Sequence, residues 1–186
     1  PLSVDLYLEK TVANARLVIV RMMGGAGYWP YGLEQLRALS RSGGPALVVV
    51  PGEDRWDAGL EPYATVDGED CRLTWRYFVE GGAENIRRAL ALAFHLTGKG
   101  ARPPPPVVLP RAGYYRPGAG ADLTVEHSLG KGVPHAAIVF YRALIQGDST
   151  APIDALVEAL AAEGIAALPV FVASLKDRDS EAFLAD

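Results

Sequence analysis

The fold of this chain is decided by residues 134–177, which read PHAAIVFYRALIQGDSTAPIDALVEALAAEGIAALPVFVASLKD. The stretch begins with a short apolar run at 136–141, of the kind that forms a strand buried on both faces. After a polar loop, Thr150 can cap a helix that carries Pro152 in its first turn. Residues 168–172 return as a second apolar strand. The stretch therefore predicts a strand–helix–strand unit.

The predicted helix has one apolar face, because its apolar residues recur at the helical spacing i, i+3, i+4, i+7 and i+8. These residues are Ile153, Leu156, Val157, Leu160 and Ala161. Gly164 is placed to end the helix. Such units cross over right-handedly and build doubly wound sheets, so we expect an α/β fold of Rossmann-like parallel-sheet units. Pro169 cannot donate a ladder hydrogen bond, so its strand is predicted to be an edge strand or to start late.

The pattern of residues 1–100 predicts a partial Rossmann-like domain. The expected order is a helix at 2–13, a buried strand within 16–23, a glycine-rich loop, a helix at 31–42, a strand at 46–50 and helices at 69–79 and 83–97. In the last helix one face is shared by Ile86, Leu90, Ala93 and Phe94. The strand that ought to precede the first helix is missing, so we interpret this domain as truncated.

Four consecutive prolines, Pro103 to Pro106, mark a change in the chain. They fix an extended segment and forbid helix. We therefore predict a partial Rossmann-like domain at 1–100, a Pro/Gly-rich linker at 101–134 with a loop at 110–120, and the start of a second α/β unit at 135–186. A further helix is expected after Lys176.

Four blocks of the sequence resemble the CobN/magnesium-chelatase family. They are FYRALIQGDSTAPIDALVEALAAEGIAALPVFVASLKD at 140–177, residues 1–36, VVVPGED at 48–54 and YFVEGGAENIRRAL at 77–90. GYYRPG at 113–118 is also similar to the family. The blocks occur in the family's order, which makes the signal more specific than any single short motif.

The resemblance implies an N-terminal fragment of a large, tetrapyrrole-binding chelatase subunit. That subunit inserts Co²⁺ into hydrogenobyrinic acid a,c-diamide in cobalamin biosynthesis. Cobalt is then a substrate, and ATP is used by two partner subunits of the AAA+ type rather than bound here. The resemblance also implies a cytoplasmic ligase that forms nitrogen–metal bonds, and a fragment that is inactive alone.

Composition excludes some classes of function. The net charge of −4 argues against broad nucleic-acid binding, which needs a basic face. No apolar run approaches the roughly 20 residues that span a bilayer. The only cysteine, Cys71, cannot form a disulfide within the chain and is expected to be a partly buried thiol. No Walker A sequence is present, so the chain is not expected to hydrolyse ATP.

Four predicted loops follow the carboxyl ends of strands, where open α/β sheets bind ligands. They are residues 24–31, 51–57, 141–149 and 174–179. The first loop, GGAGYWPYG, fails the dinucleotide spacing because Pro30 stands where glycine is required. Tyr28 and Trp29, with Tyr31, offer flat apolar surfaces that suit a flat macrocycle, and they would equally suit a core.

Tyr141 and Arg142 end the first strand of the second unit and are predicted substrate-binding residues. Arginine can hold a carboxylate of a corrin precursor with two parallel hydrogen bonds. The candidate carboxylate anchors are Arg142, Arg116, Lys131 and Lys176. The alternative is that Arg142 pairs with Asp148 or caps backbone carbonyls.

No residue matches a known catalytic or metal-binding constellation, so the catalytic and metal-binding residues stay unassigned. Weaker candidates are Asp148-Ser149-Thr150, Glu126-His127 and the acidic loop Glu53, Asp54 and Asp57. Two other functions remain open. The chain is a non-catalytic docking or scaffold module of a metal chelatase, or an independent small-molecule-binding α/β domain.

Overall fold

The structure is a computed structural model that describes residues 2–122 and 132–185. The chain divides into two compact units. The first comprises residues 1–80 and 84–107, and the second comprises residues 81–83 and 108–186. The division falls inside the stretch predicted as a linker.

The first unit is built on two parallel strands with helices before, between and after them. Its elements are α1 (Leu2–Lys10), β1 (Leu17–Met22), α2 (Pro30–Arg41), β2 (Ala46–Pro51), α3 (Gly68–Glu80) and α4 (Gly82–Leu96), with 3-10 turns at Val12–Asn14, Ala26–Tyr28 and Ala58–Tyr63. The register runs from Leu17 opposite Ala46 to Met22 opposite Pro51.

The core of the first unit lies on both faces of β2. Leu47 and Val49 join one apolar cluster with Leu33 and Leu36 of α2. Val48 packs on the other face, in a cluster that contains Cys71 of α3. The apolar run of β1 is only half-buried, although the sequence predicted a buried strand. β2 is also bonded on its other edge, by the N–H groups of Thr65 and Val66 at Leu47, whereas in the described residues β1 pairs with β2 alone.

The apolar face predicted for α4 faces outward. Leu90 is 67% exposed, and Ile86 and Phe94 are exposed beside it. The buried face carries Ala89 and Leu92 instead, together with Asn85. Local periodicity found the correct helix, but it could not show which of the two partly apolar faces meets α3.

The segment after α4 is bound to the first unit by its main chain. The Tyr77 hydroxyl donates to the carbonyl oxygen of Pro104, and the Arg88 guanidinium donates to that of Pro105. The Asn85 amide donates to the Val107 carbonyl oxygen and accepts from the Val107 N–H, both at 2.8 Å. Residues 103–107 are therefore an attached strap rather than a free linker.

The second unit contains a four-stranded mixed sheet in the order β4-β3-β6-β5. Its elements are β3 (Ala112–Arg116), β4 (Gly120–Asp122), β5 (His135–Tyr141), α5 (Ala143–Gln146), α6 (Ala151–Ala162), β6 (Ala166–Val172) and α7 (Arg178–Ala185). β5 and β6 are parallel, as predicted, and β3 is antiparallel to both β4 and β6. The loop predicted at 110–120 is wrong, because residues 112–116 pair with β6.

Pro169 lies inside an inner strand that begins at Ala166, so both predicted alternatives, an edge strand and a late start, are wrong. The sheet tolerates it because β3 pairs only with Val170, Phe171 and Val172. At Pro169 only β5 flanks the strand, and the missing N–H need not interrupt the pairing with β3.

β5 is an edge strand of this sheet with one exposed face, not a strand buried on both faces. Ile138 and Phe140 face the core, whereas Val139 and Tyr141 face outward and are 46% and 56% exposed. On α6, Ile153 is buried and Leu156 is exposed. Gly164 ends the helix with a φ of 73°, and α7 follows Lys176, both as predicted.

The thiol of Cys71 is buried against Val48 and Val50, and this burial raises its pKa to about 11. At pH 8 only roughly one molecule in a thousand then carries the reactive thiolate. We expect Ellman's reagent to react with the native chain at least ~100-fold more slowly than with the urea-unfolded chain. An exposed thiol introduced by Ser42→Cys is the control and reacts quickly in both states. Equal rates for native and unfolded Cys71 would contradict this prediction.

Candidate functional site

The two loops that follow β1 and β2 are joined at the carboxyl ends of these strands. The Gly24 N–H donates to Glu53 Oε1 at 3.0 Å, and the Arg21 guanidinium donates to the Gly52 carbonyl oxygen at 3.3 Å. The indole N–H of Trp75 donates to the Glu53 carbonyl oxygen at 2.9 Å. Both loops are thus held in place by main-chain contacts.

The structure does not give Tyr28 and Trp29 the same surroundings. Tyr28 is 80% exposed, whereas Trp29 is half-buried and packs on the core of the first unit. Tyr31 donates from its hydroxyl to Asp5 Oδ1 at 2.6 Å, and this hydrogen bond raises the pKa of Tyr31. Of the three predicted aromatic surfaces, only Tyr28 is largely free.

A second aromatic group at this end of the unit was missed from the sequence. The rings of Trp56 and Trp75 meet edge to face with centroids 5.4 Å apart, and the Arg72 guanidinium lies 4.9 Å from the Trp56 ring. Glu61 accepts from the Trp56 indole at 3.0 Å and from Arg72 at 2.9 Å. The only signal in the sequence was a tryptophan in the polar stretch EDRWDAG.

Carboxylates of the acidic loop accept hydrogen bonds from nearby backbone N–H groups. Glu53 accepts from Gly24, and Asp57 Oδ1 accepts from the Gly59 N–H at 2.8 Å. Among residues 2–122 and 132–185, no three His, Cys, Asp or Glu side chains are grouped to hold a metal ion.

An apolar cavity of about 350 Å³ lies at the carboxyl ends of β5 and β6 in the second unit. It is lined by Val139, Phe140, Tyr141, Val172, Leu175 and Leu184. This is the position at which open α/β sheets bind ligands. Tyr141, a predicted site residue, therefore lines a cavity, and Leu184 of α7 is a lining residue that the sequence did not indicate.

Arg142 donates hydrogen bonds to backbone carbonyl oxygens, as in the alternative prediction that it caps backbone carbonyls. Its Nη1 donates to the carbonyl oxygens of Leu109 at 3.2 Å and Pro110 at 3.4 Å. Its own N–H donates to the Val172 carbonyl oxygen at 2.8 Å. Arg142 is not among the residues that line the cavity.

The other predicted carboxylate anchors differ in position. Lys176 is exposed and follows the cavity residue Leu175, and its N–H donates to Ser174 Oγ at 3.2 Å. Arg116 ends β3. Lys131 and the Glu126-His127 pair lie outside the described residues.

The Asp148-Ser149-Thr150 trio does not form a site. Asp148 has a φ of 52°, and Ser149 Oγ donates to the Gly147 carbonyl oxygen at 3.1 Å. Thr150 precedes α6 without capping it through its side chain. The nearby Tyr115 hydroxyl donates to Asp154 Oδ1 at 2.7 Å, and burial raises the pKa of Tyr115.

An ion pair stabilises the loop after β6. Arg111 contacts Asp177 Oδ1 through Nη2 at 2.6 Å and Nε at 2.8 Å. These hydrogen bonds, with those from Ser180, lower the pKa of Asp177 from 3.8 to about 2.

The lowered pKa of Asp177 predicts that the folded chain loses stability in acid. A carboxyl group whose pKa is lowered by folding stabilises the fold above its unfolded pKa and loses that contribution as the pH falls through its folded pKa. We expect the urea midpoint of the wild-type chain to fall more between pH 4 and pH 2 than that of Asp177→Asn. The other carboxylates titrate in both proteins, so the difference isolates Asp177. Parallel pH profiles would contradict the prediction.

None of the helices in the described residues is long and apolar enough to cross a membrane.

The profile of the CobN/Magnesium Chelatase family matches residues 75–186. The chain belongs to this family. Its family relatives include the aerobic cobaltochelatase subunit CobN of a Sinorhizobium species, which is 44% identical over 95% of this chain and 15% of the relative. The subunit of the same name from Pseudomonas aeruginosa is 38% identical over 94% of this chain and 14% of the relative.

A solved structure of the family has the same fold. The catalytic subunit of cobaltochelatase from Mycobacterium tuberculosis superposes with a TM-score of 0.72 at 28% identity, covering 97% of this chain and 14% of that one. The α/β class and the family resemblance predicted from the sequence are confirmed. The chain spans about 15% of the length of the relatives it matches.

Proposed function

We propose that this chain is part of the large subunit of an aerobic cobaltochelatase that works in the cytoplasm. The whole subunit inserts Co²⁺ into hydrogenobyrinic acid a,c-diamide during cobalamin biosynthesis, and two AAA+ partner subunits supply the energy of ATP hydrolysis. The observation that carries this proposal is the 44% identity over 95% of the chain to a subunit of that name. The insertion chemistry lies elsewhere in the subunit, and this part is inactive alone.

Within that subunit, the cavity beside Tyr141 is proposed to contact one edge of the macrocycle. Its volume of about 350 Å³ is near the lower end for ligand pockets, which argues for partial enclosure. Its apolar walls suit the carbon face of a tetrapyrrole, and the exposed Tyr141 ring can pack against that face. Lys176, beside Leu175, is the cation best placed to meet a peripheral carboxylate. Arg142 could do so only by releasing Leu109 and Pro110.

The test is a fluorescence-quenching titration of the full-length subunit with hydrogenobyrinic acid a,c-diamide. Loss of one aromatic contact is worth about 1 kcal/mol, so Tyr141→Ala is expected to raise Kd by roughly 5- to 10-fold. Tyr28→Ala is the matched control, because it removes an exposed tyrosine from the first unit. Weakening by Tyr28→Ala alone would move the contact to the first unit. Unchanged binding in both variants would remove these residues from the substrate site.

A docking function is the second candidate, and the outward apolar face of α4 favours it. Ile86, Leu90 and Phe94 form an exposed apolar stripe. Such stripes are common at protein interfaces. We expect Leu90→Asp to weaken capture of the AAA+ partners by the full-length subunit, while Arg87→Asp, on the same helix, does not. Equal capture by both variants would count against docking through this face.

A further inference from the structure

The sequence of β1 is that of an inner strand, yet β1 is an edge strand in the part of the chain that the structure describes. Residues 17–20 read LVIV and carry apolar side chains toward both faces of the sheet. Strands apolar on both faces are typical of the interior of a parallel sheet. Natural edge strands usually carry a proline, a charge or a bulge that prevents further pairing. LVIV has no proline or charge, and the guanidinium of Arg21, which follows it in β1, is bonded to the Gly52 carbonyl oxygen and lies over the Phe78 ring.

The hydrogen bonds to β2 identify which main-chain groups point to the open edge. The N–H of Ala46 donates to the Arg16 carbonyl oxygen at 3.0 Å, and the N–H of Gly52 donates to the Met22 carbonyl oxygen at 2.7 Å. In a parallel ladder alternate residues bond the same neighbour. The even-numbered residues of β1 therefore face β2. Leu17, Ile19 and Arg21 direct their N–H and C=O groups toward the open edge.

A groove of about 670 Å³ runs along this edge, between α1 and β1. The apolar residues that line it include Val4, Leu8, Val12, Val18, Val20 and Trp29. An extended segment lying there would bond the main-chain groups that point to the open edge and cover apolar surface in the same step.

The handedness of the fold indicates where such a segment comes from. Leu8 of α1 and Leu33 of α2 pack in one cluster with Val18 of β1 and Val49 of β2, so both helices cover the same face of the sheet. The unit β1-α2-β2 steps from β1 to β2 across that face. A right-handed crossover through α1 must step in the same direction and end at β1. The strand that precedes α1 therefore lies on the open side of β1.

We propose that a parallel strand occupies the open edge of β1 in the full-length subunit, and that the sequence preceding Pro1 supplies it. This chain covers only about 15% of the length of the relatives, so most of such a subunit lies outside it. With this strand in place, the sheet of the first unit includes residues that precede Pro1. The inference rests on the proposed function only in taking this chain as part of a longer subunit, and not on the metal-inserting activity.

The first test is hydrogen–deuterium exchange of the full-length subunit, read at single residues by electron-transfer fragmentation. Val18 and Val20 bond β2 and are the internal controls. We expect the amides of Ile19 and Arg21 to exchange as slowly as those controls. An open edge would leave Ile19 and Arg21 exchanging at least ~100-fold faster than Val18 and Val20, which would overturn the proposal.

The second test identifies the occupant by photo-crosslinking. Tyr7 lines the groove and is exposed, so a benzoylphenylalanine in its place adds a reactive group with little change of shape. A crosslink to sequence before Pro1 is expected. A crosslink to a later part of the subunit, to a second copy or to an AAA+ partner would overturn the proposal, as would no crosslink beyond residues 1–186. Chelatase activity is measured separately, because a subunit without this activity would still show the crosslink if the strand is present.

Discussion

Phe171→Ala is expected to destabilise the second unit by about 3–5 kcal/mol, which is the usual cost of truncating a buried phenylalanine. Phe171 is fully buried on the inner strand β6. It lies opposite Gly113 of β3 and Phe140 of β5 and belongs to the cluster that contains Tyr115 and Phe140. Its removal leaves a cavity that neighbours on two strands cannot fill without breaking their pairing. The measurement is urea unfolding of the chain followed by circular dichroism.

The matched control for Phe171→Ala is Tyr141→Ala on the neighbouring strand. It removes an aromatic ring of similar size from the outward face, where the side chain is 56% exposed. We expect this control to cost less than ~1 kcal/mol, because little apolar surface returns to water. Equal losses for the two variants would show that the burial of Phe171 does not stabilise the sheet.

Gly32→Ala is expected to destabilise the first unit by about 1–3 kcal/mol, although alanine is normally the better helix residue. In most helices this change gains about 0.4–1 kcal/mol. Here an added Cβ would lie 1.9 Å from Cε2 of the Trp29 ring, so the ring must move. The ring is rigid and packs on the core of the unit, and the overpacking cost therefore exceeds the propensity gain.

The control for Gly32→Ala is Gly27→Ala, where an added Cβ meets nothing within 4 Å. In a Trp56→Phe/Trp75→Phe background, Gly32→Ala should also shift the emission of Trp29 to longer wavelength, because the displaced ring enters water. A Trp29→Ala/Gly32→Ala double variant should be more stable than the sum of the single changes predicts. Equal stability of Gly32→Ala and Gly27→Ala, with no emission shift, would contradict this account.

The elements that the sequence predicted are those fixed by local patterns. β5, α6 and β6 follow from hydrophobic periodicity, with Gly164 as the end of α6. β3 was missed because GYYRPG has the composition of a loop, and because one of its two partners, residues 170–172 of β6, is distant in sequence. The exposure of β5 and of the apolar face of α4 was missed for a related reason. Which face is buried depends on neighbours that no local window contains.

The candidate site was likewise predicted only where local sequence patterns determine it. Tyr141 could be placed at a ligand-binding edge because carboxyl ends of strands are recognisable in sequence. The partners of Arg142 could not be foreseen, since the carbonyl oxygens of Leu109 and Pro110 lie more than 30 positions away. Leu184 joins the cavity only because α7 folds back toward the sheet.

The strap at 103–107 has a consequence for how this sequence can change over evolution. Tyr77, Arg88 and Asn85 hydrogen-bond to main-chain atoms of the strap. A carbonyl oxygen is present whatever residue carries it, so the exposed Pro104 and Pro105 can be exchanged as long as the segment stays extended, whereas Pro106 is buried. Tyr77, Arg88 and Asn85 cannot be exchanged in this way, because their side chains make the hydrogen bonds. Among homologues the exposed positions 104 and 105 should therefore vary while the helical residues that bond their carbonyl oxygens stay fixed, which is the reverse of what a proline-rich signature suggests.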